Sequence, residues 1–365
     1  MQKSFDKHGE PLDVLYERQQ RIKKLSDGEV LVNFRASPIN PSDINTIQGV
    51  YPLKPKLPGV PGHEGAGYVV EWGKNVQSLR PGDLVIPSLP SAGTWRTLAN
   101  FEEGHLIKLD PKLPLMNAAV ISTNPSTAYL MLKNFVDLKP GDCVIQNGAT
   151  SSVGIYVIQM CKLFGVHSIN LFRPRSTHEE TEATRKSLLD YGASLVLTED
   201  ELKQSTEAKD LGEVKLAFNC LCGKTTLSLL KHLDNGGVLV TYGAMTRQPI
   251  PVPAGPLIFK DLQLRGFWVS GFAKKSSYLK KRLEMLDVVS QWMISGQLRL
   301  TPHVEVPHIQ WKKAMSESSF KDGTPSTQTK KNVLVFPESI FSMSKSRHTE
   351  RKISLAWFYC CLYKI

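Results

Sequence analysis

Hydrophobic and polar positions change their spacing about one third of the way along the chain. Before residue 125, short β-like runs occur at Glu29–Phe34, Gly67–Glu71 and Asp83–Ile86. They are separated by Asn40-Pro41-Ser42-Asp43 and Arg80-Pro81-Gly82-Asp83, whose Pro, Gly, Asn and Asp residues are typical of turns. Short strands with frequent turns predict a compact, β-rich domain.

From Leu138 onward, apolar runs of strand length alternate with segments of helical length. The predicted strands are Cys143–Gln146, Ser168–Phe172, Ser194–Leu197, Leu216–Asn219 and Gly237–Tyr242. The predicted helices between them are Val153–Phe164, Glu179–Asp190 and Thr225–Leu233. This alternation predicts an α/β fold with a doubly wound parallel sheet and right-handed crossovers.

The region after Tyr242 begins with a Pro-rich stretch and then becomes regular again. It predicts a strand at Leu262–Val269, a long helix at Tyr278–Ser295, a short helix at Gln310–Ser318 and a last strand at Asn332–Phe336. We expect this region to return to the first domain. The predicted domains are residues 1–125 and 265–336 for the split first domain, 126–264 for the sheet domain and 337–365 for a tail.

The predicted tail does not continue the pattern of strands and helices of the preceding residues. A basic polar stretch precedes an aromatic, cysteine-containing end at Trp357–Cys361. The apolar end, Ile353–Ile365, is too short to cross a bilayer, so no integral membrane insertion is expected. Two interpretations stay open, a loosely ordered appendage and an anchor at the membrane interface.

Composition excludes several classes of protein. The 365 residues are 41% hydrophobic and 22% charged, which is ordinary for a globular protein. The net charge of +11 suits a phosphorylated cofactor or an anionic acyl carrier. No block of Lys and Arg is interleaved with aromatic residues, so we do not expect nucleic-acid binding. Six cysteines without the spacing of a secreted domain indicate a reducing compartment, and no targeting leader is visible.

The strongest chemical signal is a strand, a turn of small residues and a helix start within Cys143–Gly154. Small residues allow the backbone to approach a pyrophosphate, and the helix start offers unpaired N–H groups. Ser152 stands where a glycine is usual, and it would weaken cofactor binding if the backbone there needed a positive φ. An ordinary helix start without a ligand is the alternative.

The end of the next predicted strand indicates which dinucleotide binds. An acidic residue about twenty positions after the turn would bind the ribose 2′-hydroxyl of NAD. The chain instead has Arg173 and Arg175, which suit the 2′-phosphate of NADPH. The alternative is a solvated pair of surface arginines.

Several motifs together resemble a known superfamily. The runs Ala36–Asp43, Gly62–Gly65, Arg80–Asp83 and Leu138–Asp142 are similar to those of the medium-chain dehydrogenases/reductases. Five further runs resemble the mitochondrial trans-2-enoyl thioester reductases within it: Ile47–Tyr51, Gly93–Thr97, Val144–Asn147, Leu257–Asp261 and Leu264–Trp268. The resemblance covers about residues 10 to 336.

The resemblance implies a GroES-like catalytic domain joined to a Rossmann domain, and NADPH-dependent reduction of trans-2-enoyl thioesters. Tyr51 would protonate the α-carbon, since a phenol, with an ordinary pKa of about 10, keeps its proton at neutral pH. Simple packing of this ring is the alternative. The cofactor contacts implied by matching motifs or by the turn are Asn124, Thr150, Ser151, Ser152, Val153, Arg173, Arg175, Tyr242, Gly243, Ala244, Met245, Phe267, Trp268, Val269 and Lys331.

No metal site is predicted. A catalytic zinc needs about three protein ligands, commonly with a thiolate among them. No cysteine precedes Cys143, so His63 is expected to be a hydrogen-bonded structural residue and Cys220 and Cys222 to be buried small side chains.

The resemblance also implies a CoA or acyl-carrier-protein substrate, a mitochondrial location and a homodimer, which pairing near Leu262–Val269 could form. Two other functions stay open. One is an NADPH quinone oxidoreductase of the same superfamily, and the other is an NADPH-binding protein without turnover.

Overall fold

The computed structural model describes residues 1–19, 22–318 and 330–338, so the predicted tail lies almost wholly outside the described residues. The described strands are β1 Gln2–Ser4, β2 Tyr16–Arg18, β3 Glu29–Pro38, β4 Ala66–Trp72, β5 Leu84–Pro87, β6 Leu98–Glu102, β7 Leu106–Lys108, β8 Cys143–Gln146, β9 His167–Leu171, β10 Leu195–Leu197, β11 Val214–Asn219, β12 Val238–Thr241, β13 Gln263–Gly266, β14 His303–Pro307 and β15 Lys331–Val335.

The helices follow the same chain order. They are α1 Pro11–Val14, α2 Pro41–Gln48, α3 Leu115–Val120, α4 Asn124–Asn134, α5 Ser152–Phe164, α6 His178–Asp190, α7 Glu199–Gln204, α8 Glu207–Asp210, α9 Thr225–His232, α10 Ala254–Phe259, α11 Val269–Ala273, α12 Leu279–Ile294 and α13 Trp311–Ser318. Within the described ranges, no helix combines the length and apolarity needed to cross a bilayer.

The predicted parallel sheet is present and has six strands. Their order is β10-β9-β8-β11-β12-β13, and every neighbouring pair is parallel. Crossovers on both sides of β8 give the order of a dinucleotide-binding sheet, with a topological switch point beside β8. The doubly wound prediction is therefore confirmed.

One predicted strand is too long. Leu262–Val269 is a strand only over Gln263–Gly266, because its partner β12 ends at Thr241, opposite Gly266. The backbone N–H of Phe267 still reaches Thr241 O at 3.0 Å, and α11 then begins at Val269. All four residues of β13 are exposed, which leaves an open edge on this sheet.

A second sheet holds the first and the last parts of the chain. Its order is β14-β15-β3-β4-β5-β7, and β6 also pairs with β3. The last described strand, β15, lies between β14 and β3, so the C-terminal region contributes two strands to this sheet. One hydrophobic cluster includes Ala36 and Leu84 of this sheet and Val144 and Leu216 of the other. The two sheets are therefore joined by shared apolar packing.

The segment Asn40-Pro41-Ser42-Asp43, predicted as a turn, is the start of α2. Proline suits the first helical position, and the Asp43 Oδ2 accepts a hydrogen bond from the Asn40 N–H at 2.8 Å. Gly49 ends the helix with a φ of 81°, a conformation that favours glycine. The next two residues lie outside the helix but are hydrogen-bonded to it, since the N–H groups of Val50 and Tyr51 donate to Asn45 O at 3.0 and 3.1 Å.

One surface carboxylate supports a stability prediction. The Glu103 Oε1 accepts from the Gln77 N–H at 3.0 Å and from the Ser78 hydroxyl at 2.7 Å, and these bonds lower the pKa of Glu103 to about 2. We expect Glu103→Gln to lower the free energy of unfolding by about 1 kcal/mol near neutral pH, a small value because solvent screens the group.

A carboxyl group whose pKa is lower in the folded state stabilises the folded protein fully when the pH is above the pKa of the unfolded state. This stabilisation is lost as the pH falls towards the pKa of the folded state. The deficit of Glu103→Gln should therefore shrink as the pH is lowered from about 4.5 towards about 2. Urea unfolding at several pH values measures this, with Glu102→Gln as the neighbouring control. A deficit that is constant with pH would contradict the assignment.

Candidate active-site cavity

A cavity of about 860 Å³ opens where residues from both sheets meet. Ser151, which follows β8, and Tyr242, which follows β12, contribute from the carboxyl ends of the two strands on either side of β11, and α/β proteins bind their ligands at this edge of the sheet. Most of the predicted site residues line this cavity: Tyr51, Asn124, Ser151, Ser152, Val153, Tyr242, Gly243, Ala244, Met245, Phe267, Trp268, Val269 and Lys331. Thr150, Arg173 and Arg175 are not among its lining residues.

The turn between β8 and α5 is tight and leads into a capped helix start. Gly148 has a φ of 62°, and a Cβ there would lie 2.4 Å from the Cys220 Sγ. The Ser151 Oγ accepts the Gly154 N–H at 3.1 Å, which caps α5. Ser152 is the first helical residue and has no positive φ, so the serine is not strained there. The helix N-terminus therefore faces the cavity without a backbone penalty.

Arg173 and Arg175 follow β9 and stand outside the cavity lining. Arg173 is exposed and Arg175 is half-buried, with its Nε donating to the Thr184 Oγ1 at 3.3 Å. Burial and the nearby charge of Arg173 lower the pKa of Arg175. Two guanidinium groups that repel one another would be stabilised by an anion between them.

Tyr51 is held between two aromatic rings on the cavity wall. Its ring centroid lies 5.0 Å from that of His63 and 5.9 Å from that of Trp268, with edge-to-face geometry at both. The Trp268 Nε1 donates to the Tyr51 hydroxyl at 2.7 Å, and the Ser270 Oγ lies 3.5 Å from the same hydroxyl. Because the indole N–H of Trp268 is the donor in this hydrogen bond, the hydroxyl proton of Tyr51 stays available for another acceptor.

His63 is a hydrogen-bonded residue, as the sequence predicts. Its Nε2 lies 2.8 Å from the Thr46 Oγ1 and its Nδ1 lies 3.1 Å from the Ser91 Oγ. Its backbone N–H donates to the Asp43 Oδ1 at 2.8 Å. Over the ranges that the structure describes, no three His, Cys, Asp or Glu side chains are grouped as metal ligands.

A chain of hydrogen bonds joins Lys331, Asn40 and Glu64, and the first two of these residues line the cavity. The Lys331 Nζ donates to the Asn40 Oδ1 at 2.6 Å, and the Asn40 Nδ2 donates to the Glu64 Oε1 at 2.7 Å. Burial raises the pKa of Glu64 to about 8 and lowers the pKa of Lys331. We call Asn40, Asp43, Glu64 and Lys331 the Asn40 cluster.

Two family models match the chain in the order that the fold shows. The alcohol dehydrogenase GroES-like domain matches residues 26–110, and the zinc-binding dehydrogenase domain matches residues 152–287. A mitochondrial enoyl-[acyl-carrier-protein] reductase of Caenorhabditis elegans is 48% identical over 276 residues, which are 76% of this chain and 79% of that protein. The chain belongs to the mitochondrial enoyl-[acyl-carrier-protein] reductase family.

Solved structures agree with this family. A complex of Etr1p with NADP and crotonyl-CoA superposes with a TM-score of 0.83 at 36% identity, covering 92% of this chain and 99% of that one. The Etr1p/Etr2p heterodimer, the mitochondrial 2-enoyl thioester reductase of Candida tropicalis, has the same TM-score and identity, with the same shares covered. An Escherichia coli quinone oxidoreductase with NADPH, at 22% identity and a TM-score of 0.75 over 92% of this chain and 99% of that one, shares the fold.

The cavity also contains residues that sequence reasoning missed. Asn40 and Thr127 line it from the starts of α2 and α4, and Ser270 and Arg247 line it from the segments after β13 and β12. The signal for Asn40 was present, because it precedes a proline and an aspartate at a helix start. Thr127 and Ser270 lie in helices that the hydrophobic pattern did not indicate.

Proposed function

We propose that this protein reduces trans-2-enoyl thioesters of CoA or acyl carrier protein to saturated acyl thioesters with NADPH. The observation that carries the proposal is the Tyr51 hydroxyl, held by Trp268 on the wall of a cavity that also contains the start of α5. Family membership and the solved complex of a relative with NADP and crotonyl-CoA support the same reaction.

The described residues fit NADPH. The start of α5 would hold the pyrophosphate, and Arg173 and Arg175 would hold the 2′-phosphate near the end of β9. Asn124 is 7% exposed, lines the cavity, and its Nδ2 has no hydrogen-bond partner among the described residues. A buried amide donor without a partner is costly, so a ligand acceptor at this point would stabilise it. When bound, NADPH supplies the hydride for the β-carbon of the substrate.

Tyr51 then supplies the proton that completes the reduction. Reduction at the β-carbon leaves an enolate, whose α-carbon must gain a proton. As the phenol proton leaves, the Tyr51 oxygen becomes negative and keeps the hydrogen bond from Trp268. A hydrogen bond to a charged oxygen is stronger than one to a neutral hydroxyl, so this bond favours the proton transfer.

A quinone oxidoreductase is the second candidate, because such enzymes share the fold. Quinone reduction needs no acid at Tyr51. We expect NADPH oxidation with a trans-2-enoyl-CoA to exceed that with a simple quinone by about tenfold or more in kcat/KM, measured by absorbance. A quinone preferred over the enoyl-CoA would contradict the proposal. NADPH binding without turnover of either would identify a non-catalytic binding protein.

We further propose that the protein acts in mitochondrial fatty-acid synthesis and forms a homodimer. The Caenorhabditis elegans relative and the Etr1p/Etr2p reductase are named as mitochondrial proteins, and the Etr1p/Etr2p structure is a heterodimer. The exposed edge of β13 offers unpaired backbone groups, and an edge of this kind is well suited to pairing with a second copy.

A further inference from the structure

Asn40 forms hydrogen bonds to three residues through three different atoms, and one of these residues, Lys331, lines the cavity with it. Asn40 is 2% exposed and stands immediately before α2. Its Oδ1 accepts from the Lys331 Nζ at 2.6 Å, and its Nδ2 donates to the Glu64 Oε1 at 2.7 Å. Its backbone N–H donates to the Asp43 Oδ2 at 2.8 Å. The side-chain amide therefore serves as donor and acceptor at once, between a cation and a carboxyl group.

Lys331 depends on such a partner. It is the first residue of β15 and lines the cavity, and its long side chain has several rotatable bonds. Among the described residues, the bond to Asn40 is the hydrogen bond observed for its ammonium group. Without this acceptor, the side chain would gain rotamer freedom and its charge would lack a hydrogen bond in a buried place.

The helix that follows Asn40 leads to the proposed proton donor. α2 is eight residues long and ends at Gly49. The N–H groups of Val50 and Tyr51 both donate to Asn45 O, at 3.0 and 3.1 Å. α2 therefore connects Asn40, which precedes its first turn, to the backbone that carries Tyr51.

We propose that Asn40 is a positioning residue that fixes Lys331 on the cofactor side of the cavity and aligns α2, and with it Tyr51, against that side. The inference rests on the proposed function, because it takes Lys331 as a cofactor contact. Asn40 acts through Lys331 on NADPH and through α2 on proton transfer.

The test uses Asn40→Ser, Lys331→Met and the double variant in the full chain. Serine is a favoured residue before a helix, but its side chain is too short to reach Lys331 and Glu64 together. We expect Asn40→Ser to weaken NADPH binding by about tenfold to a hundredfold, the effect of losing one hydrogen bond to a charged group. NADPH fluorescence titration measures this without turnover.

The double variant separates positioning from general destabilisation. If Asn40 acts through Lys331, NADPH should bind the double variant within about twofold of Lys331→Met alone. We also expect Asn40→Ser to lower kcat at saturating NADPH by about fivefold and to change the KM for the enoyl-CoA less than about twofold.

Thr198→Ala is the matched control, since the Thr198 Oγ1 accepts the Glu201 N–H at the start of α7, and neither residue lines the cavity. It should reduce stability and leave NADPH affinity and kcat unchanged. Additive losses in the double variant, or an Asn40→Ser enzyme that resembles Thr198→Ala, would overturn the positioning role. Unchanged NADPH binding by Lys331→Met would reject Lys331 as a contact as well, while enoyl-CoA turnover by the wild type would still uphold the proposed function.

Discussion

Replacing Tyr51 with phenylalanine should lower kcat for a trans-2-enoyl-CoA by about 10²- to 10⁴-fold, the usual contribution of a positioned general acid. The ring keeps its place between His63 and Trp268, because phenylalanine retains both edge-to-face contacts. Only the hydroxyl that accepts from Trp268 is removed. Stopped-flow and steady-state oxidation of NADPH measure the loss.

NADPH affinity should stay within about threefold in the same variant, since the lost hydroxyl acts on substrate protonation and not on cofactor binding. Tyr16→Phe is the matched control, because it also removes a tyrosine hydrogen bond, to the Asp6 Oδ1 at 2.9 Å, but lies outside the cavity lining. Turnover by Tyr51→Phe at the rate of the wild type would show that another group donates the proton.

Removing the charges of Arg173 and Arg175 should raise the Kd for NADPH by about 10- to 10³-fold and leave the Kd for NADH within about threefold. Each charge-assisted hydrogen bond to the 2′-phosphate contributes about 1.5 to 3 kcal/mol, and NADH lacks this phosphate. Arg175 is the more ordered of the two, because Thr181 and Thr184 hold its backbone and its Nε. Fluorescence titration of Arg173→Ala, Arg175→Ala and the double variant tests each contribution.

Lys186→Ala is the control for this experiment, since Lys186 is an exposed cation on α6 that is absent from the proposed contacts. Any general effect of net charge on a phosphorylated ligand would appear there too. Equal losses for NADPH and NADH in the double variant would reject the assignment of the two arginines to the 2′-phosphate.

The sequence predicted the parallel sheet well because most of its strands contain short, buried apolar runs, whereas β13, whose four residues are all exposed, is the strand whose bounds were predicted wrongly. The strand Cys143–Gln146 has the predicted bounds, and α5, which follows it, has the ordinary length of 13 residues. The segment at Asn40–Asp43 was predicted wrongly as a turn, because residues that favour turns also begin helices. Its eight-residue helix has too few apolar positions to show a helical period.

The candidate site was predicted only in part, and from motifs rather than from the hydrophobic pattern. Tyr51, Trp268 and Lys331 were implied by motifs, and the structure brings them to one cavity. The hydrogen bond between Trp268 and Tyr51 joins residues 217 positions apart, and local sequence patterns carry no signal for such a pair. Asn40 shows the same limit, since its partner Lys331 lies on the last described strand.

The place of β15 has a consequence for variation in the gene. The strand lies inside the second sheet, and its first residue reaches Asn40. A premature stop before Lys331 would therefore remove the partner strand of β14, one of the partner strands of β3, and Lys331 from the lining of the cavity in a single event. Early termination in this region should therefore behave as a complete loss of function rather than as a partial one.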